Sequence, residues 1–373
     1  MVRQCDRTAM ADGTCCDARS MRPATLAVME LPPPWGHPWA GRLNEHVVDS
    51  QVLTGNPLGD PHRRPLWVYT PPGYGAAADR RYPSIYLIQG MTGQIDMWRN
   101  RKAFSPTVLE AVDAWFAEDR VQAIVVYVDA WTSFGGAQFL DSPGTGRYHT
   151  YLCEEVVPFV DAHYRTLPEA ANRGVAGKSS GGYGAMVTPM LRPDLFGGLV
   201  THAGDALFEI CYQPEFPQVA RALRDEYDGS YDAFWADVRS RPGRSKRSDA
   251  ALINAWAMAA CYSADPDGTV RLPFEPLTGR LIEETWARWL ARDPVRMVAG
   301  RADALGGLRA IWIDAGRSDE YYLDLGAEAF RRELAAIGVD DERVRFELFD
   351  GGHGGIDWRY PEAIGWLAER LAP

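Results

Sequence analysis

The chain reads as an α/β protein, a mostly parallel central sheet with helices on both faces, and three observations predict it. Short apolar, β-branched runs alternate with longer segments of helical spacing. Two of the runs, IYLI and AIVVYV, are continuous rather than alternating, as strands buried on both faces are. With 46% hydrophobic and 24% charged residues among 373, the chain can bury a large core without disulfide or metal staples.

Residues 1–20 are polar, lack the apolar stretch of a secretory signal, and read as a disordered leader. Residues 21–45, rich in proline and aromatics, read as an extended arm. The body is expected over 46–373. Its strands are predicted at 47–53, 66–70, 84–89, 123–128, 198–201, 309–313 and 344–349. The first two are joined by the turn-rich GNPLGDP and are expected to pair antiparallel at a sheet edge. Helices are predicted over 105–118, 151–164, 182–191, 323–337 and 361–371. Residues 205–300 break this rhythm and carry Phe208, Tyr212, Phe216, Phe234, Trp235, Trp256, Trp286 and Trp289, which reads as a helical cap inserted into the body. The basic stretch 239–247 within it reads as a solvated loop.

A net charge of −11 argues against nucleic acid as a partner, because such binding draws its affinity from a basic surface. No apolar run is long enough to span a bilayer, so no membrane partner is expected and the cytoplasm is the default location. The six cysteines show neither CxxC pairing nor zinc-ligand spacing, so no metal site is expected. Self-association is left open.

The chemistry is carried by residues 173–186, RGVAGKSSGGYGAM, where GKSSG matches G-x-S-x-G ahead of a helical segment. Only Ser179 has glycine two residues away on both sides, as a serine on a strained strand-to-helix turn requires. Ser180 would instead offer its backbone N–H. GKSS is not a phosphate loop, since Asn172 stands where that motif needs glycine. A serine hydroxyl needs a base. Of seven histidines, His353 in GGHGG follows a predicted strand in a loop flexible enough to reach over the sheet edge. His163 falls in a helix, His37, His46 and His62 precede the main sheet, and His149 falls in a polar loop. His202 ends a strand near the site and is a candidate supporting group. The carboxylate that orients the histidine should also follow a strand. Asp319 in IWIDAGRSDE is chosen over its neighbour Glu320, with Asp314 as a structural acid. A second oxyanion N–H is expected from Met91, in the glycine turn after strand 84–89. The order Ser, Asp, His is that of the α/β-hydrolase fold.

The chain resembles the putative-esterase family that includes esterase D and enterochelin-esterase-like hydrolases, with mycolyltransferases more distant. The matching residues are VYTPPGY at 68–74, RYPSIYLIQGMTG at 81–93, EEVVPFVDAHYRT at 154–166, GKSSGGYGAM at 177–186, HAGD at 202–205, the DAGRSDE segment, and GGHGG with Trp358. This resemblance implies an α/β-hydrolase fold and a serine ester hydrolase without metal or organic cofactor, with Ser179, Asp319 and His353 as its triad. Gln89 and Lys178 stand where many members carry histidine. Together with Asp205 of HAGD they are the candidates for substrate contact.

The expected activity is hydrolysis of a small-molecule ester through an acyl-enzyme. Two alternatives are transfer of the same acyl group to an alcohol, and a catalytically silent binding module on the same fold. Thioesters, siderophore lactones and sugar esters all stay open as substrates.

Overall fold

The computed structural model describes residues 38–373 except 77, 119 and 244, and Trp39–Pro373 forms one compact unit. The leader and most of the proline-rich arm therefore lie outside the described residues. Eight strands make the main sheet: β1 Arg42–Asp49, β2 Arg63–Thr70, β3 Ser84–Ile88, β4 Ile124–Val128, β5 Arg173–Lys178, β6 Gly198–His202, β7 Ala310–Gly316 and β8 Val344–Phe349. Their spatial order is β1-β2-β4-β3-β5-β6-β7-β8. β2 runs antiparallel to both of its neighbours, and every other pair is parallel. This is the expected α/β-hydrolase arrangement.

The continuous apolar runs behave as their burial requires. Ile85, Leu87, Val125 and Tyr127 face one core, while Tyr86, Ile88, Val126 and Val128 face the other. The first core is closed by α1 Val108–Ala117 through Leu109, Val112 and Phe116. The second is closed in part by α2 Val157–His163 and α3 Ser180–Leu191. α1 starts later than its predicted 105 because Thr107 caps it: Thr107 Oγ1 accepts the Glu110 N–H at 3.2 Å, and Glu110 returns a carboxylate to the Thr107 N–H at 2.8 Å.

Between β6 and β7 the cap contributes α4 Phe216–Tyr227, α5 Tyr231–Ser240, α6 Asp249–Tyr262 and α7 Glu283–Leu290. Its aromatics pack into the second core, with Phe208, Phe234 and Trp289 fully buried. In the basic stretch, Arg241 pairs with Asp249 at 2.9 Å and Lys246 with Asp237 at 2.7 Å, so both of these charges are met locally. After β7 comes α8 Leu323–Ala336, and after β8 comes α9 Arg359–Leu371, which joins α1 on the first core.

Three local expectations are corrected. The first strand lies at Arg42–Asp49 rather than 47–53, because Glu155 takes the N–H groups of Gln51 and Val52 and turns the chain out of the sheet. Residues 42–45 thus belong to the body, not to the arm. β5 carries no continuous apolar run, since Gly174 and Gly177 interrupt it, and it was not among the predicted strands. His149 lies in a short helix, Tyr148–Thr150, rather than in a loop.

Candidate active site

β5 ends at Lys178 and α3 begins at Ser180, so Ser179 alone makes the turn, at φ 58° and ψ −127°. A Cβ at Gly177 would come within 2.4 Å of the Gly181 backbone, and one at Gly181 within 2.4 Å of the Ile88 carbonyl oxygen. The glycines of the motif thus let α3 start against β3 and β5. The Ser179 N–H is held by the carbonyls of His202 and Ala203 at 3.0 and 3.1 Å.

The loops leaving the carboxyl ends of β7 and β8 meet over this turn. Arg317 N–H donates to the Phe349 carbonyl and Ser318 N–H to the Gly351 carbonyl, both at 2.9 Å. His353 Nε2 lies 3.1 Å from Ser179 Oγ, and His353 Nδ1 lies 2.9 Å from Asp319 Oδ2. An imidazole that donates from Nδ1 to Asp319 leaves Nε2 free to accept from the serine. Asp319 is buried, and its other oxygen accepts the Tyr321 N–H at 2.9 Å. Glu320 takes a different part: its carboxylate accepts the backbone N–H of His353 at 2.8 Å, which holds it below the usual glutamate range.

Asp314 and His202 form a separate, fully buried pair behind the site. His202 Nδ1 lies 2.7 Å from Asp314 Oδ1, and Asp314 Oδ2 accepts from Trp312 Nε1 at 2.7 Å and Arg359 Nε at 3.0 Å. This network pins the ends of β6 and β7 beneath Ser179.

A cavity of about 350 Å³ opens in front of Ser179. It is lined by Gly90, Met91 and Thr92 from the loop after β3, by Lys178 and Ser180, and by Asp205, Tyr212 and Asn254 from the cap region. Tyr321, His353, Asp357 and Tyr360 close the opposite side. Among the described residues, the N–H groups of Met91 and Ser180 enter no turn or loop hydrogen bond. Cys211 also lines the cavity, but burial pushes its thiol well above the ordinary range, so it stays protonated and is no rival nucleophile.

The three candidates for substrate contact separate. Gln89 does not line the cavity: its amide nitrogen donates to the Gly93 carbonyl at 2.9 Å and shapes the glycine turn from inside. Its buried position, next to the last residue of β3, turns it toward that loop. Asp205 reaches the cavity wall but is committed to a buried network, with Oδ2 accepting from Tyr212 Oη at 2.7 Å, Ser180 Oγ at 3.0 Å and Gln138 Nε2 at 3.2 Å. Burial raises its carboxyl above the usual aspartate value. Lys178 lines the cavity, and burial lowers its ammonium from the usual lysine value. Tyr212 was legible only as one of many cap aromatics, and Gln138 carried no signal at all. Glu320 was visible, but only as a competitor of Asp319.

A family model described as a putative esterase matches residues 61–360. Among solved structures, a ferulic acid esterase is 18% identical with a TM-score of 0.56, covering 89% of this chain and 100% of that one. An S-formylglutathione hydrolase from Agrobacterium tumefaciens is 15% identical with a TM-score of 0.52, covering 90% and 98%. At such identities the likeness is one of fold. An endo-1,4-beta-xylanase/feruloyl esterase of Xylanibacter ruminicola is 26% identical over 141 residues, which is 35% of this chain and 18% of that protein. The chain thus spans less than half the length of the curated relatives it matches. With four-fifths of its length matched by the family model, the chain belongs to the putative esterase family of α/β-hydrolases.

Proposed function

We propose that this esterase hydrolyses carboxylic esters through a serine acyl-enzyme. The observation that carries the reading is the unbroken line from Ser179 Oγ through the His353 ring to buried Asp319, with links of 3.1 and 2.9 Å. Ser179 Oγ attacks the ester carbonyl while His353 Nε2 takes the hydroxyl proton and Asp319 steadies the imidazolium that forms. The oxyanion is received by the Met91 and Ser180 N–H groups, which no turn or loop bond engages elsewhere. His353 then gives its proton to the departing alcohol. Water, deprotonated by the same ring, attacks the acyl carbon, and the acid leaves as Ser179 recovers its proton. The His353 side chain retains 15% exposure, so solvent reaches the ring that must activate that water.

Initial rates on p-nitrophenyl esters of increasing acyl length, with a feruloyl ester and a thioester alongside, test this reading. The last two follow the ferulic acid esterase and S-formylglutathione hydrolase among the structural relatives. Ser179→Ala is expected to lower kcat by about 10⁴-fold or more with the fold unchanged by circular dichroism. Turnover that survives in the folded variant sinks the assignment.

A further inference from the structure

Resting on the esterase reading above, we propose that Lys178 is a substrate anchor and that the preferred esters carry a carboxylate close to the scissile bond. Lys178 directly precedes the nucleophile and lines the same cavity. Four carboxylates stand near enough to act on its charge, those of Asp357, Asp319, Asp205 and Glu320.

Each of these acids already has a donor of its own. Asp357 pairs with Lys102 at 3.0 Å, and Asp319 receives His353 Nδ1. Glu320 accepts the His353 backbone N–H, and Asp205 is saturated on Oδ2 by Tyr212, Ser180 and Gln138. The Lys178 ammonium makes no hydrogen bond or ion pair among the described residues. A lysine is seldom taken out of water unless it is paired. This one is largely desolvated, and its nearest open space is the cavity itself. The surrounding acids favour its charged form against the burial that disfavours it, and none of them bonds to it, so its N–H donors stay available to whatever enters. An anionic group bound by Lys178 in the cavity that Ser179 also lines would fix the ester against the nucleophile, which favours reaction by orientation. A carboxylate is the class that suits the site, because its planar oxygens accept hydrogen bonds without adding bulk to a cavity of about 350 Å³.

The carboxylate could belong to the acyl or to the alcohol part, and two matched pairs of esters separate these sources. Ethyl hydrogen glutarate against ethyl pentanoate probes the acyl side; 3-carboxyphenyl acetate against phenyl acetate probes the alcohol side. With kcat/KM read by proton release, the wild-type enzyme is expected to favour the carboxylate member of one pair by about tenfold or more. Lys178→Met and Lys178→Gln are expected to cut that preference about tenfold, mainly through KM, and Lys178→Glu to reverse it. Lys178→Arg should keep part of it. No preference in either pair for the wild type, or an undiminished preference in a folded Lys178→Met or Lys178→Gln enzyme, overturns the proposal. Absence of a preference in the wild type overturns the proposal even if a variant misfolds. Failure of the underlying reading looks different, because then no ester turns over or turnover survives Ser179→Ala.

Discussion

Ser179 holds a left-handed backbone conformation that costs a residue with a side chain about 1–3 kcal/mol. It is kept there by packing that only glycine allows: α3 can start beside β3 because positions 177 and 181 have no Cβ. Gly181→Ala, whose methyl would lie 2.4 Å from the Ile88 carbonyl oxygen, is expected to destabilise the protein by about 1–3 kcal/mol, and chemical denaturation measures it. Asp205 makes the opposite kind of demand, a charge taken from water. Its folded-state carboxyl is raised by burial, which the donors from Tyr212, Gln138 and Ser180 only partly offset. A raised value means that the native state binds the proton more tightly than the unfolded chain does. The stability contributed by Asp205 is therefore fully present below the ordinary aspartate value and is lost as pH rises through the raised one. Asp205→Asn, which keeps an acceptor for the three donors, should gain in Tm relative to wild type as pH rises above the ordinary aspartate value of about 4. A constant difference above that value would mean that the carboxyl is not perturbed.

The elements that present the site are two strand ends and the loops they release. β7 and β8 are parallel neighbours, so their following loops leave on the same edge of the sheet, and this brings Asp319 and His353 together across 34 residues of sequence. That much was legible, because each loop follows an apolar run and carries glycine beside a chemically committed residue. The expectation that the acid, the base and the serine converge rested on each following a strand and on their order along the chain, Ser, Asp, His. What could not be read were contacts made by folding the cap back on the body. Tyr212 meets Asp205 across seven residues, but Gln138 reaches the same carboxylate from a loop 67 residues earlier. No periodicity in the sequence points from one to the other. β5 was legible only as the strand that a strand-to-helix turn at Ser179 requires, since its glycines serve close packing and remove the apolar run that marks its neighbours. Glu320 belongs to this scale too. It is exposed, yet it ties the backbone of His353 to the loop after β7. Glu320→Ala is expected to lower kcat about tenfold by loosening the imidazole, with little change in Tm. Unchanged kcat would show that the other contacts between these loops suffice.

At the scale of the molecule, the cap is built as part of the body rather than as a separate lid. One continuous core runs from Tyr86 and Val126 in the sheet through Tyr183 and Phe208 to Phe216, Trp286 and Trp289 in the cap. Trp289 is fully buried, donates from Nε1 to Ser263 Oγ at 2.8 Å, and meets the Tyr212 ring edge-on at 5.5 Å. Tyr212 in turn donates to Asp205 beside the Ser179 turn. Packing in the cap is thus continuous with the wall of the cavity, and an element sharing a core of this kind should not melt alone. Calorimetry of the wild type is expected to give a single cooperative transition. Trp289→Ala should lower stability by about 3–5 kcal/mol while leaving that transition single. It should also weaken ester turnover at temperatures where the variant is still folded, because the Tyr212 ring loses the indole against which it rests. A separate early transition in Trp289→Ala, with turnover intact below it, would instead mark the cap as an independent unit whose aromatics serve only their own packing.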